Sequence, residues 1–233
     1  QMAWFSFWDQ GWPPTLLSDI LATISFASLA SALAISIGVG VAIFARANPG
    51  RRATAMARLA GLGYATPGVV LALGLLPFFA SIDHFLDAGW RMLTGRPLGL
   101  VLIGSGAAVV IALAIRFLAI AIGGVESGLA RVSPHLDSAA RTLGLPARQL
   151  WSAVQWRLVK PALGAAALVV FIDAAKELPA TLLLRPIGVE TLATSLYGAA
   201  ARGQFGEGAL HALFILLIGL AAALKLARTA PQR

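Results

Sequence analysis

An acid, a base and a second acid stand in one otherwise apolar run: Asp173, Lys176 and Glu177, with Pro179 close behind. Carboxylate oxygens are hard donors that suit a hard cation, so Asp173 and Glu177 are candidates for the lining or gate of a pathway. On a helix Asp173 and Lys176 are three residues apart and can pair. The same cluster could equally be a structural brace. If the run crosses a membrane, each charge near the centre costs on the order of 2.5–3.5 kcal/mol, so the charges must face protein or water. Pro179 breaks or ends the helix there.

Other chemistry is sparse. His84, His135 and His211 fall on separate segments with no ligand spacing, which points to ordinary polar residues rather than a metal site. Gly104-Ser105-Gly106 has the look of a nucleophile turn, yet no His lies at a comparable depth. The small residues there, with Ala107 and Ala108, read better as a close helix contact, and Gly38 and Gly40 likewise. With no Cys there is no disulfide, thiolate metal site or thiol nucleophile.

The element that must hold these groups is set by composition. Of 233 residues, 58% are hydrophobic and 12% charged, against roughly 25% charged in a soluble domain, and the mean hydropathy is +0.82. A water-soluble globular enzyme is excluded. Five runs reach the ~20 residues that a spanning helix needs: Ile20–Phe44, Leu59–Ala80, Leu98–Ile122, Pro161–Leu184 and Ala209–Leu226. They are too long and too little alternating for barrel strands, so the expected fold is an all-α polytopic membrane bundle. Pro67, in Tyr64-Ala65-Thr66-Pro67-Gly68, should kink the second run, and 185–208 is expected as an outer loop, plain or partly re-entrant.

Basic residues orient the bundle. Of 18 Lys and Arg, 12 fall in the 44–59 connection, the 123–160 connection and the C-terminal tail. By the excess of positive charge on cytoplasmic loops, these lie inside and the N-terminus outside. The net charge of +8 is then mostly this bias rather than a sign of nucleic acid. Trp4, Phe5, Phe7, Trp8 and Trp12 read as an outer interfacial belt or a tag remnant. Counted from Pro161, Asp173 lies about 18 Å and Glu177 about 24 Å up the fourth span, so Lys176 and Glu177 could simply reach the outer interface. Arg116, in the cytoplasmic half of the third span, could snorkel inward.

The 123–160 connection is longer than a bare link needs and carries helix signals. Ser133 can cap a helix with Pro134 at its first position. Leu129, Val132, Leu136, Ala140 and Leu143 recur at helical spacing. Gly144 can supply a left-handed stop, and a second helix starts at Pro146 with Leu150, Trp151 and Val154. The result is two short helices around a Gly144–Pro146 turn: either an interfacial element lying on headgroups or a docking element for a soluble partner.

Asp137-Ser138-Ala139-Ala140-Arg141-Thr142-Leu143-Gly144 resembles the EAA loop of type I ABC-importer permeases. Ala139, Ala140 and Gly144 match its pattern; Ser138 replaces the Glu, and Trp156-Arg157 replace the Leu-Pro. The run Phe171-Ile172-Asp173-Ala174-Ala175-Lys176-Glu177-Leu178-Pro179-Ala180-Thr181, with its continuation to Pro186, is similar to ferric-iron (iron(III)) import permeases. So are Val189–Thr194, Gly63–Gly68 and Arg116–Ala119. The resemblance covers residues 15 to 226 and is to the C-terminal repeat of a two-repeat chain, lacking that repeat's first span.

It implies an extracytoplasmic segment 1–19, a type-1 transmembrane domain 20–226 with coupling loop 123–160, and a cytoplasmic tail 227–233. It further implies a bacterial inner-membrane permease subunit for iron(III), with thiamine, polyamine or phosphonate importers as alternatives. Its partners would be cytoplasmic ATP-binding subunits, a second permease half, an extracytoplasmic substrate-binding protein and lipid. ATPase coupling falls to Asp137, Ser138, Ala139, Ala140, Gly144, Leu145 and Pro146. No G-x-x-x-x-G-K-[ST] loop is present, so ATP would be used by the partner and no cofactor is expected here. The rival classes are a membrane-embedded enzyme built on Asp173 and Glu177, and a non-catalytic scaffold.

Overall fold

The computed structural model describes residues 11–47, 50–130, 132, 142, 144 and 156–229. Eight helices lie among them: α1 (Leu16–Ala47), α2 (Arg51–Ala65), α3 (Gly68–Thr94), α4 (Gly106–Leu129), α5 (Trp156–Ala175), α6 (Pro179–Leu184), α7 (Leu192–Ala201) and α8 (Phe205–Thr229). Five of these, α1, α3, α4, α5 and α8, are long and apolar enough to cross a membrane. No strand lies among the described residues. The expected all-α membrane bundle is what the chain forms.

The number of spans matches the sequence expectation, but several bounds do not, and each difference has a local cause. The run Leu59–Ala80 is cut at Thr66-Pro67, because Pro67 brings no N–H and disfavours helical backbone in the residue before it. The helix that follows continues past Ala80 to Thr94, since nothing stops it until Gly95 takes a left-handed turn (φ 70). The third span begins at Gly106 instead of Leu98. Its cap is Ser105, whose hydroxyl accepts from the Ala107 N–H at 3.2 Å. The fourth span starts earlier, at Trp156, and ends at Ala175, ahead of the break at Leu178-Pro179. The expected outer loop 185–208 contains α7, closed by a reciprocal Thr191–Thr194 cap.

The core is the packing of α4 between α1 and α5, built from alanines and a few large residues such as Phe79, Val109, Leu113 and Phe117. Small residues let the backbones approach. A Cβ on Gly124 would sit 2.3 Å from the Ala166 Cβ, and one on Gly128 would sit 2.9 Å from the Ala162 Cβ. This is the small-xxx-small seam of membrane helices, where dispersion replaces the missing hydrophobic drive. Gly106 and Gly38 lie at close contacts as expected, the first against Phe26 and the second against Ala121, whereas Gly104 and Gly40 have nothing within 4 Å of their Cβ positions.

One end of the bundle gathers the C-termini of α1 and α4 with the start of α5. There the Arg46 guanidinium donates to the Leu129 carbonyl at 3.1 Å and the Val132 carbonyl at 3.4 Å, satisfying carbonyls that a helix end leaves free. Between this end of α4 and the start of α5 lies the expected coupling segment. Of it, Thr142 is helical and exposed, and Gly144 is an exposed turn residue at φ 70, the left-handed geometry read from the sequence. Asp137, Ser138, Ala139, Ala140, Leu145 and Pro146 lie outside the described residues.

Candidate functional site: two interrupted helices joined by Arg116

Both proline breaks face the same residue. Arg116 stands near the middle of α4, about 15 Å along the axis from Gly106 and about 20 Å from Leu129. Its Nη1 donates to the Thr66 carbonyl at 2.8 Å, at the α2–α3 break. Its Nε lies 3.7 Å from Glu177 Oε1, at the α5–α6 break. Arg116 therefore does not snorkel to an interface, and Glu177 does not reach one. With a carboxylate in the middle of the bundle beside it, the guanidinium is held where it would otherwise be most costly.

Glu177 serves the backbone as well as the charge. Its carboxylate accepts from the Ala180 N–H at 3.1 Å and the Thr181 N–H at 3.1 Å, and from the Thr181 hydroxyl at 3.2 Å. These are the orphan donors at the start of α6, where Pro179 occupies the first turn. A negative group at that position is favoured by the N–H dipoles. The Glu177 side chain is 4% exposed. Gly68 closes the arrangement: a Cβ there would lie 2.6 Å from Glu177 Oε1, 3.2 Å from Arg116 Nη1 and 3.2 Å from the Pro179 Cβ. The first turn of α3, the start of α6 and the middle of α4 thus meet at one point.

Asp173 and Lys176 pair at 2.8 Å, as their spacing predicts, but apart from this clamp: Lys176 is 59% exposed and Asp173 23%. Of the four pathway candidates, Glu177 and Pro179 belong to the brace, while Asp173 and Lys176 form a more open pair. Among the described residues no group of three or more His, Asp or Glu is placed to hold a metal ion.

Three polar or close-packed arrangements escape a reading by hydropathy. Asp83 is fully buried; it accepts from the Val101, Leu102 and Ile103 N–H groups at 3.0, 2.8 and 2.9 Å. One turn on, Asp87 accepts from the Leu98 and Gly99 N–H groups at 2.7 and 3.1 Å. These bonds hold 98–103 out of helix, which is why α4 starts late. At the end of the bundle away from Arg46, buried Asp19 accepts from the Ser195 hydroxyl at 2.7 Å and lies 3.3 Å from His211 Nε2, tying α1 to α7 and α8. The third is Gly68, whose close approach only the folded chain reveals. The sequence signal for the first two is an acid inside or beside an apolar run, which requires a partner.

No family model matches the chain. It is 26% identical over 214 residues, 91% of its length and 74% of the other's, to PhnV of Salmonella typhimurium, named as a 2-aminoethylphosphonate transport system permease protein. It is 26% identical over 160 residues, 69% of its length and 28% of the other's, to the Fe(3+)-transport system permease protein FbpB 2 of Haemophilus influenzae. Among solved structures it superposes on an inward-facing MetNI methionine ABC transporter chain with a TM-score of 0.63 at 18% identity, covering 93% of this chain and 96% of that one. The fold is that of an ABC importer permease. The relatives that this chain resembles in sequence are named as permease proteins of transport systems. Five helices long and apolar enough to cross a membrane, in this fold, make the chain a multi-pass membrane protein.

Proposed function

We propose that the chain is a permease subunit, or half, of an ATP-driven, binding-protein-dependent importer of the bacterial inner membrane. Its N-terminal side faces out and its C-terminus lies in the cytoplasm. The observation that carries this is the pair of helix breaks braced at mid-depth by Arg116 inside an importer-permease fold. Interrupted helices leave irregular backbone at membrane depth, which is tolerated only against protein or a water-filled cavity. Bracing two breaks to one rigid helix lets a push at the cytoplasmic end move them together.

On this reading the segment around Gly144 seats on a cytoplasmic ATP-binding subunit, a second permease half completes the pathway, and an extracytoplasmic binding protein delivers substrate. The distribution of basic residues and the left-handed Gly144 turn support it. Iron(III) is the substrate that the Lys176–Thr181 stretch and the iron(III) permease relative favour. An organophosphonate is the second reading, favoured by the relative that matches 91% of the chain. Because Glu177 is already engaged by Arg116, Thr181 and backbone N–H groups, and Asp173 by Lys176, neither acid is a ready ligand for a bare cation.

The test is uptake into proteoliposomes containing the complete transporter and its binding protein, with labelled iron(III) and 2-aminoethylphosphonate offered in turn. ATP-dependent uptake of one is expected; ATP-independent or absent uptake of both, with an intact complex, overturns the importer reading. Gly144→Val should insert normally yet lose uptake, because β-branched side chains do not tolerate φ near +70. Normal uptake by that variant would remove the coupling role.

A further inference from the structure

A groove of about 710 Å³ runs between α1, α5 and α8, away from the Arg116 brace. Its wall is apolar and small along Gly164, Ala167, Leu168 and Phe171. Ser31, also on the wall, has its hydroxyl committed to the Ala167 carbonyl at 2.8 Å. Two ammonium groups, Lys160 near the start of α5 and Lys225 near the end of α8, line the same groove, and no carboxylate does. Each lies roughly 6 Å along its helix from that helix's end. Neither has an ion-pair partner among the described residues. From Lys160 to Phe171 the groove descends about 17 Å, more than half of the ~30 Å hydrocarbon layer.

An apolar trough that deep, headed by two cations with no counter-charge among the described residues, matches an amphiphile with an acyl chain and an anionic head. We propose that this groove is a binding site for one anionic phospholipid, its phosphate between Lys160 and Lys225 and an acyl chain along Gly164 and Phe171. Basic pockets between membrane helices take such headgroups. A second copy of this chain is a poorer occupant. A two-fold contact through the groove would bring the same two lysines back onto themselves, and among the described residues its lining offers no acid to meet them.

Gly164 is the point of leverage, because nothing lies within 4 Å of its Cβ position and a side chain there fills the trough without disturbing a neighbour. Native mass spectrometry of the intact transporter, exchanged into phosphatidylglycerol or phosphatidylcholine, reads the site directly. Wild type should retain one phosphatidylglycerol per chain at this site and release phosphatidylcholine. Taking each lysine as about fivefold, Lys160→Gln with Lys225→Gln should weaken retention about 25-fold. Gly164→Leu should displace the lipid while leaving both charges in place. Equal retention of the two lipids, or retention of phosphatidylglycerol unchanged in both variants, would overturn the proposal. The chain has no Cys, so a single Gly164→Cys gives a second readout. Crosslinking to a photoreactive phosphatidylglycerol is expected, and crosslinking to the other permease half instead would assign the groove to a protein interface.

Discussion

The α4–α5 seam and the Arg116 clamp sit on the same helix and solve opposite problems. Along the seam both helices run on without a break, α5 even through Pro161. Contact needs only proximity, and Gly124 and Gly128 against Ala166 and Ala162 supply it. At the clamp two helices are broken, and carbonyls and N–H groups are released from their helical partners. There the chain spends charge: one guanidinium takes the Thr66 carbonyl and one carboxylate takes the first N–H groups of α6. The contrast teaches that a broken helix needs charge to take up its released backbone groups, while a continuous pair needs only small residues at the contact.

Removing half of the clamp should have the largest effect. Arg116→Ala leaves the buried Glu177 carboxylate without its counter-charge, and losses of about 3–5 kcal/mol are expected for such a cut. Thermal unfolding of the detergent-solubilised protein would show it, and a change under ~1 kcal/mol would mean the charges are not coupled. Gly68→Ala should cost about 1–3 kcal/mol, since its methyl group lands 2.6 Å from Glu177 Oε1. Hydrogen exchange should find Glu177 displaced as loss of protection at the Ala180 and Thr181 amides. Gly124→Ala should cost a similar ~1–3 kcal/mol through overpacking alone. It differs from the clamp in being rescued by Ala166→Gly, which removes the atom it strikes at 2.3 Å. Failure of that rescue would mean the seam is not a matter of bulk. The smallest effect is expected from Asp173→Asn, whose partner is 59% exposed: under ~1 kcal/mol, with uptake and selectivity unaltered if the pair only braces. Altered selectivity in that variant would return Asp173 to the pathway.

Much of this was legible in the sequence. Apolar run lengths gave the five spans, Pro67 and Pro179 gave the two breaks, and Gly144 gave its left-handed turn. The Asp173–Lys176 pair followed from helical spacing. Helix ends were harder, because hydropathy reports depth in the bilayer and not where hydrogen bonding stops. Thus α3 runs on through Asp83 and Asp87 to Gly95, and those two acids then unwind the stretch that was expected to open α4. The clamp itself was out of reach. Arg116 and Glu177 are distant along the chain, and only the antiparallel packing of α4 and α5 brings them to one depth. A charge in an apolar span announces that it needs a partner, but its own sequence neighbourhood does not name one.

The most direct test of the clamp is a double-mutant cycle between Arg116→Met and Glu177→Gln, read by thermal unfolding of the intact protein. Gln keeps an acceptor for the α6 N–H groups, so the cycle isolates the charge pair from the helix cap. A favourable coupling of at least ~1 kcal/mol is expected for two groups in one buried network. Additive losses within ~0.5 kcal/mol would show that the two breaks are held independently and that Arg116 joins nothing.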